Sequence, residues 1–256
     1  MQGHIATFSS PIKWLREGLS AVRQAPFGMV SICIFYVFTM SLLGALPVVG
    51  LVIAAFFMPF GTMLVLNGTR QASEGRQPAY GILADLFKNP LLRSRLMNIG
   101  AIYSIFIIVA NYAYIFLAVD QVSQWEIIDG RLNWNSVLEH FPWTAAIVTV
   151  IVYAAGQMAT WFSPALVTLK NMPVGKATFY SFFGCLRNWL PILILLVIIF
   201  GVTVFGAYVL IVLTETLGIG DYSLFFLTPL AFFITTVAYS TIWPMWVDIF
   251  GDVSEN

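Results

Sequence analysis

The sequence predicts an all-α protein, a polytopic transmembrane helical bundle of about six spans with amphipathic helices along its cytoplasmic face. Three observations lead there. The chain of 256 residues is 59% hydrophobic and only 9% charged, against about 25% charged in soluble domains. Its charges are gathered into clusters between long uncharged runs. When those runs are threaded through a bilayer, eleven of the 12 Lys and Arg residues fall on one side. So few polar groups cannot cover a surface in water, and lipid is the solvent that suits the chain.

Residues 1–26 form a cytoplasmic interfacial segment. Pro11 suits a first helical position with Ser10 as its cap. Ile12, Leu15, Leu19 and Val22 then share one face, with Lys13, Arg16, Glu17 and Arg23 elsewhere. No charge occurs between Arg23 and Arg70, and this run is long enough for two helices of about 20 residues. Pro47 and Gly50 mark the break between them. Helices are expected at 27–46 and 48–69, either a full crossing pair or a re-entrant hairpin. The first run is too long for a signal-peptide core of roughly 7–15 residues, so it reads as a retained helix.

A basic cytoplasmic loop, 70–97, follows. Its stretch 80–96 carries Leu86, Phe87, Leu91 and Leu92 among Lys88, Arg93 and Arg95, with Pro90 interrupting it. The second pair, 98–169, is expected as helices 98–119 and 143–169 around an outer loop, 120–142. Residues 170–190 form a second basic interfacial segment, where Phe179, Phe182, Phe183 and Leu186 neighbour Lys176 and Arg187. The third pair, 191–247, is expected as helices 191–213 and 223–247, ahead of a cytoplasmic tail, 248–256. Continuous apolar runs exclude a membrane β-barrel, whose strands alternate at every residue.

The cation bias puts both termini in the cytoplasm. Trp125, Trp134 and Trp143 then lie at the outer boundary, and Trp14, Trp189, Trp243 and Trp246 at the inner one, as in an aromatic belt. The chain also reads as three consecutive hairpin units, each with a basic amphipathic lead and a proline in its second helix: Pro59, Pro164 and Pro244. These prolines are candidate helix bends, and a static bend is the simpler reading than a gate.

Composition and spacing exclude much chemistry. The net charge of zero argues against nucleic acid as a partner. His4 and His140 are too few and too separated for a zinc site, and no cofactor motif is present. Among the acidic residues of the outer loop, Asp120, Glu126, Asp129 and Glu139 match no calcium loop and read as solvated. Cys33 and Cys185 are not expected to pair. No carboxylate, Lys or Arg lies mid-helix, which counts against a proton- or ion-coupled carrier. The amides Asn111 and Gln157 lie near mid-membrane. They read either as an interhelical hydrogen bond or as the lining of a solute path.

Short segments along most of the chain resemble an uncharacterised family of bacterial inner-membrane proteins, a domain of unknown function. They are Trp14-Leu-Arg-Glu-Gly18 ahead of Pro26, Met58-Pro59, Phe162-Ser-Pro-Ala-Leu-Val167, Ser181-Phe-Phe-Gly-Cys-Leu-Arg-Asn188 and Asp248-Ile-Phe250. The resemblance implies a multi-pass inner-membrane protein and no established reaction.

The functional expectation is a non-enzymatic membrane protein that organises or senses the membrane. Lys13, Arg16, Arg23, Lys88, Arg93, Arg95, Lys176 and Arg187 are the candidate contacts to anionic lipid headgroups. The alternative is a transporter or channel for a neutral or amphipathic solute. A lipid-modifying enzyme comes third, since no interfacial carboxylate or His cluster is visible.

Overall fold

A computed structural model describes residues 4–251; the last five residues of the expected tail, 252–256, lie outside this range. The chain folds as helices α1 (Ser10–Gln24), α2 (Pro26–Gly44), α3 (Gly50–Ser73), α4 (Gly81–Lys88), α5 (Pro90–Val122), α6 (Trp134–Glu139), α7 (Trp143–Thr160), α8 (Ser163–Leu169), α9 (Val174–Arg187), α10 (Trp189–Thr216), α11 (Ser223–Ser240) and α12 (Ile242–Phe250). A two-stranded hairpin, β1 (Ile127–Ile128) and β2 (Arg131–Leu132), occupies the loop between α5 and α6. Six stretches among the described residues are long and apolar enough to cross a membrane: α2, α3, α5, α7 with α8, α10, and α11 with α12. The protein is an integral membrane protein with an all-α bundle.

The first hairpin has the length of a full crossing. The 19 residues of α2 rise roughly 28 Å at 1.5 Å each, close to the hydrocarbon thickness. Its far turn is tight, with Val48 at φ 65°. A Cβ on Gly50 would sit 2.3 Å from the Gly44 carbonyl oxygen, so only glycine fits there.

The prolines act differently from one another. Pro59 lies inside an unbroken α3. Pro164 and Pro244 instead fall in the first turns of new helices, after breaks near Trp161–Phe162 and at Thr241. The expected bent helices 143–169 and 223–247 are thus each two helices. A first-turn proline lacks only an N–H that would be unpaired anyway. Pro90 likewise starts a helix rather than interrupting one. Asn89 caps it, accepting from Leu91 N and Leu92 N at 3.1 and 3.2 Å, so α5 runs eight residues longer at its start than expected.

The core sits at the basic end of the bundle. Trp14, Phe162, Leu166, Trp246 and Ile249 are fully buried in one cluster with α3 and α9 residues. Trp14, Trp243 and Trp246 are therefore packing residues and not belt residues, whereas Trp189, Trp134 and Trp143 are exposed. α1 does not simply lie apolar face down. It turns Trp14, Gly18, Ala21 and Val22 onto the protein. A Cβ on Gly18 would come within 3.1–3.2 Å of the Ser240–Thr241 backbone. Ile12, with Leu15 and Leu19, forms a separate stripe beside that face, and Ile12 stays exposed.

The interfacial helices tie neighbouring hairpins together. α4 packs on α3, and α9 packs on α7 and α8. α4 also packs on α5, and α1 packs on α11 and α12 of the last hairpin as well as on α3 of the first. The two ends of the described chain consequently meet: His4 N donates to the Ile249 carbonyl at 2.9 Å.

Candidate functional site

Two regions could carry function, the basic face and the interior between the spans. On the basic face, α9 presents Phe179, Phe183 and Leu186 outward, opposite the buried Ala177, Ser181, Gly184 and Cys185. Lys176 and Arg187 border that stripe and are exposed. On α1, Arg16 and Arg23 border the exposed Ile12. Such a surface, apolar with cations at its edge, matches a headgroup layer. The candidate cations are not equivalent. Lys13 lies 3.5 Å from Asp248, Arg93 donates to the Phe87 carbonyl and Arg95 donates to Asn171 Oδ1 at 2.6 Å. Lys176 stands 5.9 Å over the Tyr180 ring. Arg16, Arg23, Lys88 and Arg187 are the exposed cations best placed to reach a headgroup.

The helices on this face are held by buried polar side chains. Asn188 Oδ1 accepts from Ala6 N at 2.7 Å and its amide donates to the Gly184 carbonyl at 2.8 Å. Asp248 accepts from Trp14 Nε1 at 3.0 Å. Ser181 accepts from Phe162 N at 2.9 Å and donates to the Met158 carbonyl at 2.7 Å, satisfying both groups freed by the α7–α8 break. Burial pushes the Cys185 thiol up to about 12, which removes it as a reactive nucleophile near neutral pH. Cys33 and Cys185 are unpaired. Among the described residues, no three His, Cys, Asp or Glu side chains converge.

The interior is not closed. A cleft of about 420 Å³ lies between α2, α3, α5 and α7, lined by Tyr36, Tyr103, Asn111, Tyr114, Thr149 and Tyr153 among others, of which Asn111 and Tyr153 are exposed. A second, of about 200 Å³, lies nearer the basic face between α3, α7, α10, α11 and α12. Gln157, Trp161, Leu195, Ile199 and Tyr239 line it. Tyr36 and Met58 belong to both walls, so the two chambers adjoin at these side chains. No Asp, Glu, Lys or Arg lines either chamber.

Tyr36 is held firmly at this junction. Its ring meets Tyr239 edge-on at 5.2 Å. A Cβ on Gly61 would lie 2.2 Å from that ring, so glycine makes the seat. Across the larger chamber, Tyr103 Oη donates to Tyr153 Oη at 3.0 Å. α7 and the residue that ends it contribute a stripe at four-residue spacing, Thr149, Tyr153, Gln157 and Trp161, that lines both chambers. Gln157 Oε1 and Trp161 Nε1 are buried with no hydrogen-bond partner, each at a cost of about 1–3 kcal/mol.

Asn111 and Gln157 are not brought together. Asn111 Nδ2 donates to Ile107 of its own helix at 2.8 Å and lines the larger chamber, whereas Gln157 lines the smaller one. Thr149 is level with Ala110, to whose carbonyl it donates at 3.4 Å. Gln157 is two turns further along, roughly 10 Å away. The polar bridge between α5 and α7 is the Tyr103–Tyr153 pair instead. Tyrosines are common in apolar helices, and only their spacing with Gln157 on α7 signals the stripe.

The chain is 26% identical over 244 residues to a probable inner membrane protein of Burkholderia thailandensis, covering 93% of this chain and 90% of that one. No family model matches the chain, and no solved structure matches it.

Proposed function

We propose that this chain is a non-enzymatic protein of the bacterial inner membrane that binds an uncharged amphipathic solute between its helices and gives it a path through the bilayer. The observation that carries this reading is the pair of chambers adjoining at Tyr36 and Met58, with hydroxyls and amides but no charge on their walls. Uncharged walls suit an uncharged solute, because a buried ion without a partner is strongly disfavoured. The basic face is assigned to the cytoplasm, on the strength of the cation bias. The similarity to a probable inner membrane protein supports the membrane named here.

Cysteine accessibility tests the path. In a background lacking Cys33 and Cys185, Asn111→Cys and Thr149→Cys are expected to react with a small water-soluble thiosulfonate. Ile105→Cys, on a lipid-exposed face, is expected to stay unmodified. If all three sites are inert, the chambers are dry and the reading falls.

A second reading has support of its own. The exposed aromatic stripe of α9 beside Lys176 and Arg187, with Arg16 and Arg23 on α1, suits a protein that organises or senses anionic lipid. Raising phosphatidylglycerol in nanodiscs should then raise the melting temperature, and Arg16→Gln with Arg187→Gln should blunt the rise. An unchanged melting curve across the titration rejects this reading.

A further inference from the structure

We infer that the two chambers together hold one uncharged single-chain amphipath of the monoacylglycerol type, its hydroxylated head in the larger chamber and the near part of its chain in the smaller. This rests on the solute reading above and names the ligand class.

The division of polarity sets the pose. The larger chamber gathers Tyr103, Tyr153, Asn111 and Thr149. Tyr153 accepts from Tyr103, so its own proton remains to be given to a further acceptor. Asn111 commits one N–H to Ile107 and keeps its carbonyl and second N–H. This wall offers both donors and acceptors, which is what a glycerol hydroxyl or an ester carbonyl requires. An ionised head would meet no counter-charge here.

The smaller chamber is walled chiefly by Met58, Val65, Leu195, Leu196, Ile199 and Met245. At about 200 Å³ it falls below the roughly 300–1,000 Å³ of a drug-sized pocket, so it encloses only the part of one chain next to the head and leaves the rest to the bilayer. α10 packs on α11 and α1 but makes no substantial contact with α7. The entry for a lipid chain is placed between α7 and α10, which line this chamber from two sides without packing closely on each other. Tyr36 and Met58 at the junction would lie against the link between head and chain. Gln157 and Trp161, each with an unpartnered polar atom, flank that passage.

Tryptophan quenching tests this with the full chain in nanodiscs of unbrominated phosphatidylcholine. The probe is a monoacylglycerol with a 9,10-dibrominated chain. A saturable quenching component is expected, absent in Trp161→Phe and restored by adding Leu196→Trp to that background. Tyr153→Phe with Asn111→Leu should weaken saturation by about tenfold or more. Dibrominated oleate at alkaline pH and a dibrominated diacylglycerol should give only linear, non-saturating quenching. Linear quenching by the monoacylglycerol, unchanged in Trp161→Phe, overturns the proposal. Equal saturation by the oleate or the diacylglycerol also overturns it. If Asn111→Cys still reacts with the thiosulfonate in that case, the path stands and only the ligand class is wrong; if it does not, both fall.

Discussion

Ser181 shows how much one hydroxyl can do where a membrane helix breaks. Hydrocarbon offers no water to a freed backbone group, and Ser181 supplies both an acceptor for Phe162 N and a donor for the Met158 carbonyl. Ser181→Ala removes both at once. It should lower stability by about 1–3 kcal/mol for each orphaned group, read as a drop in melting temperature in detergent. Thr178→Val, whose hydroxyl bonds only within α9, should leave the melt nearly unchanged. A similar logic applies to Asn188 and Asp248, which tie the first described residues and α1 to the end of the chain. These residues could be read from the sequence only as pieces of a resemblance, because their partners lie up to 234 positions away. Nothing in local periodicity marks a serine that repairs another helix.

At the scale of elements, the spans were plain in the sequence because charge is expensive in lipid and its absence is easy to see. The breaks were less plain. A proline is most comfortable in a helix's first turn, so the chain breaks upstream of Pro164 and Pro244 and not at them. Pro59 leaves α3 unbroken, and nothing local to it in the sequence separates it from the other two. The chambers were half legible. Depth placed Asn111 and Gln157 near mid-membrane, but depth does not give the level at which two antiparallel helices are aligned, and that set them in different chambers. The small residues Ala155, Gly156, Ala159 and Thr160 marked the close approach of α7 to α5, where a Cβ on Gly156 would lie 2.5 Å from Phe106, but the crossing of α3 and α5 was not legible. A Cβ on Gly100 would lie 2.0 Å from the Phe56 carbonyl oxygen, which lets α3 and α5 touch backbone to backbone, the mode that drives association in lipid. Gly100→Ala should force them apart and cost roughly 1–3 kcal/mol, measured by unfolding in mixed micelles. Gly201→Ala, on an open stretch of α10, is the matched control and should cost nothing.

Across the whole molecule, the interfacial helices lock the hairpins to one another. α4 packs on the first and second, α9 on the second, and α1 on the third and first. α3, the most buried span, touches α2, α5 and α11 and serves as the hub. α10 is the least buried span and does not pack closely on α7, where the ligand proposal sets its entry. A three-hairpin reading of the sequence could not show that α1 reaches the last helices, since that is a contact between residues at opposite ends.

The meeting of His4 with Ile249 has a consequence for chain order. Joining residue 251 to residue 4 with a short linker and opening the chain between the exposed Gly75 and Arg76 yields a circular permutant in the order second, third, first. α9 would still follow the helices it packs on, α1 would follow α11 and α12 along the chain for the first time, and α4 would precede α3 instead of following it. Exposed loop tips near which few contacts cross tolerate such cuts. The permutant should insert and melt within a few degrees of the original, whereas a cut inside α3 should abolish folding, as judged by monodispersity in detergent.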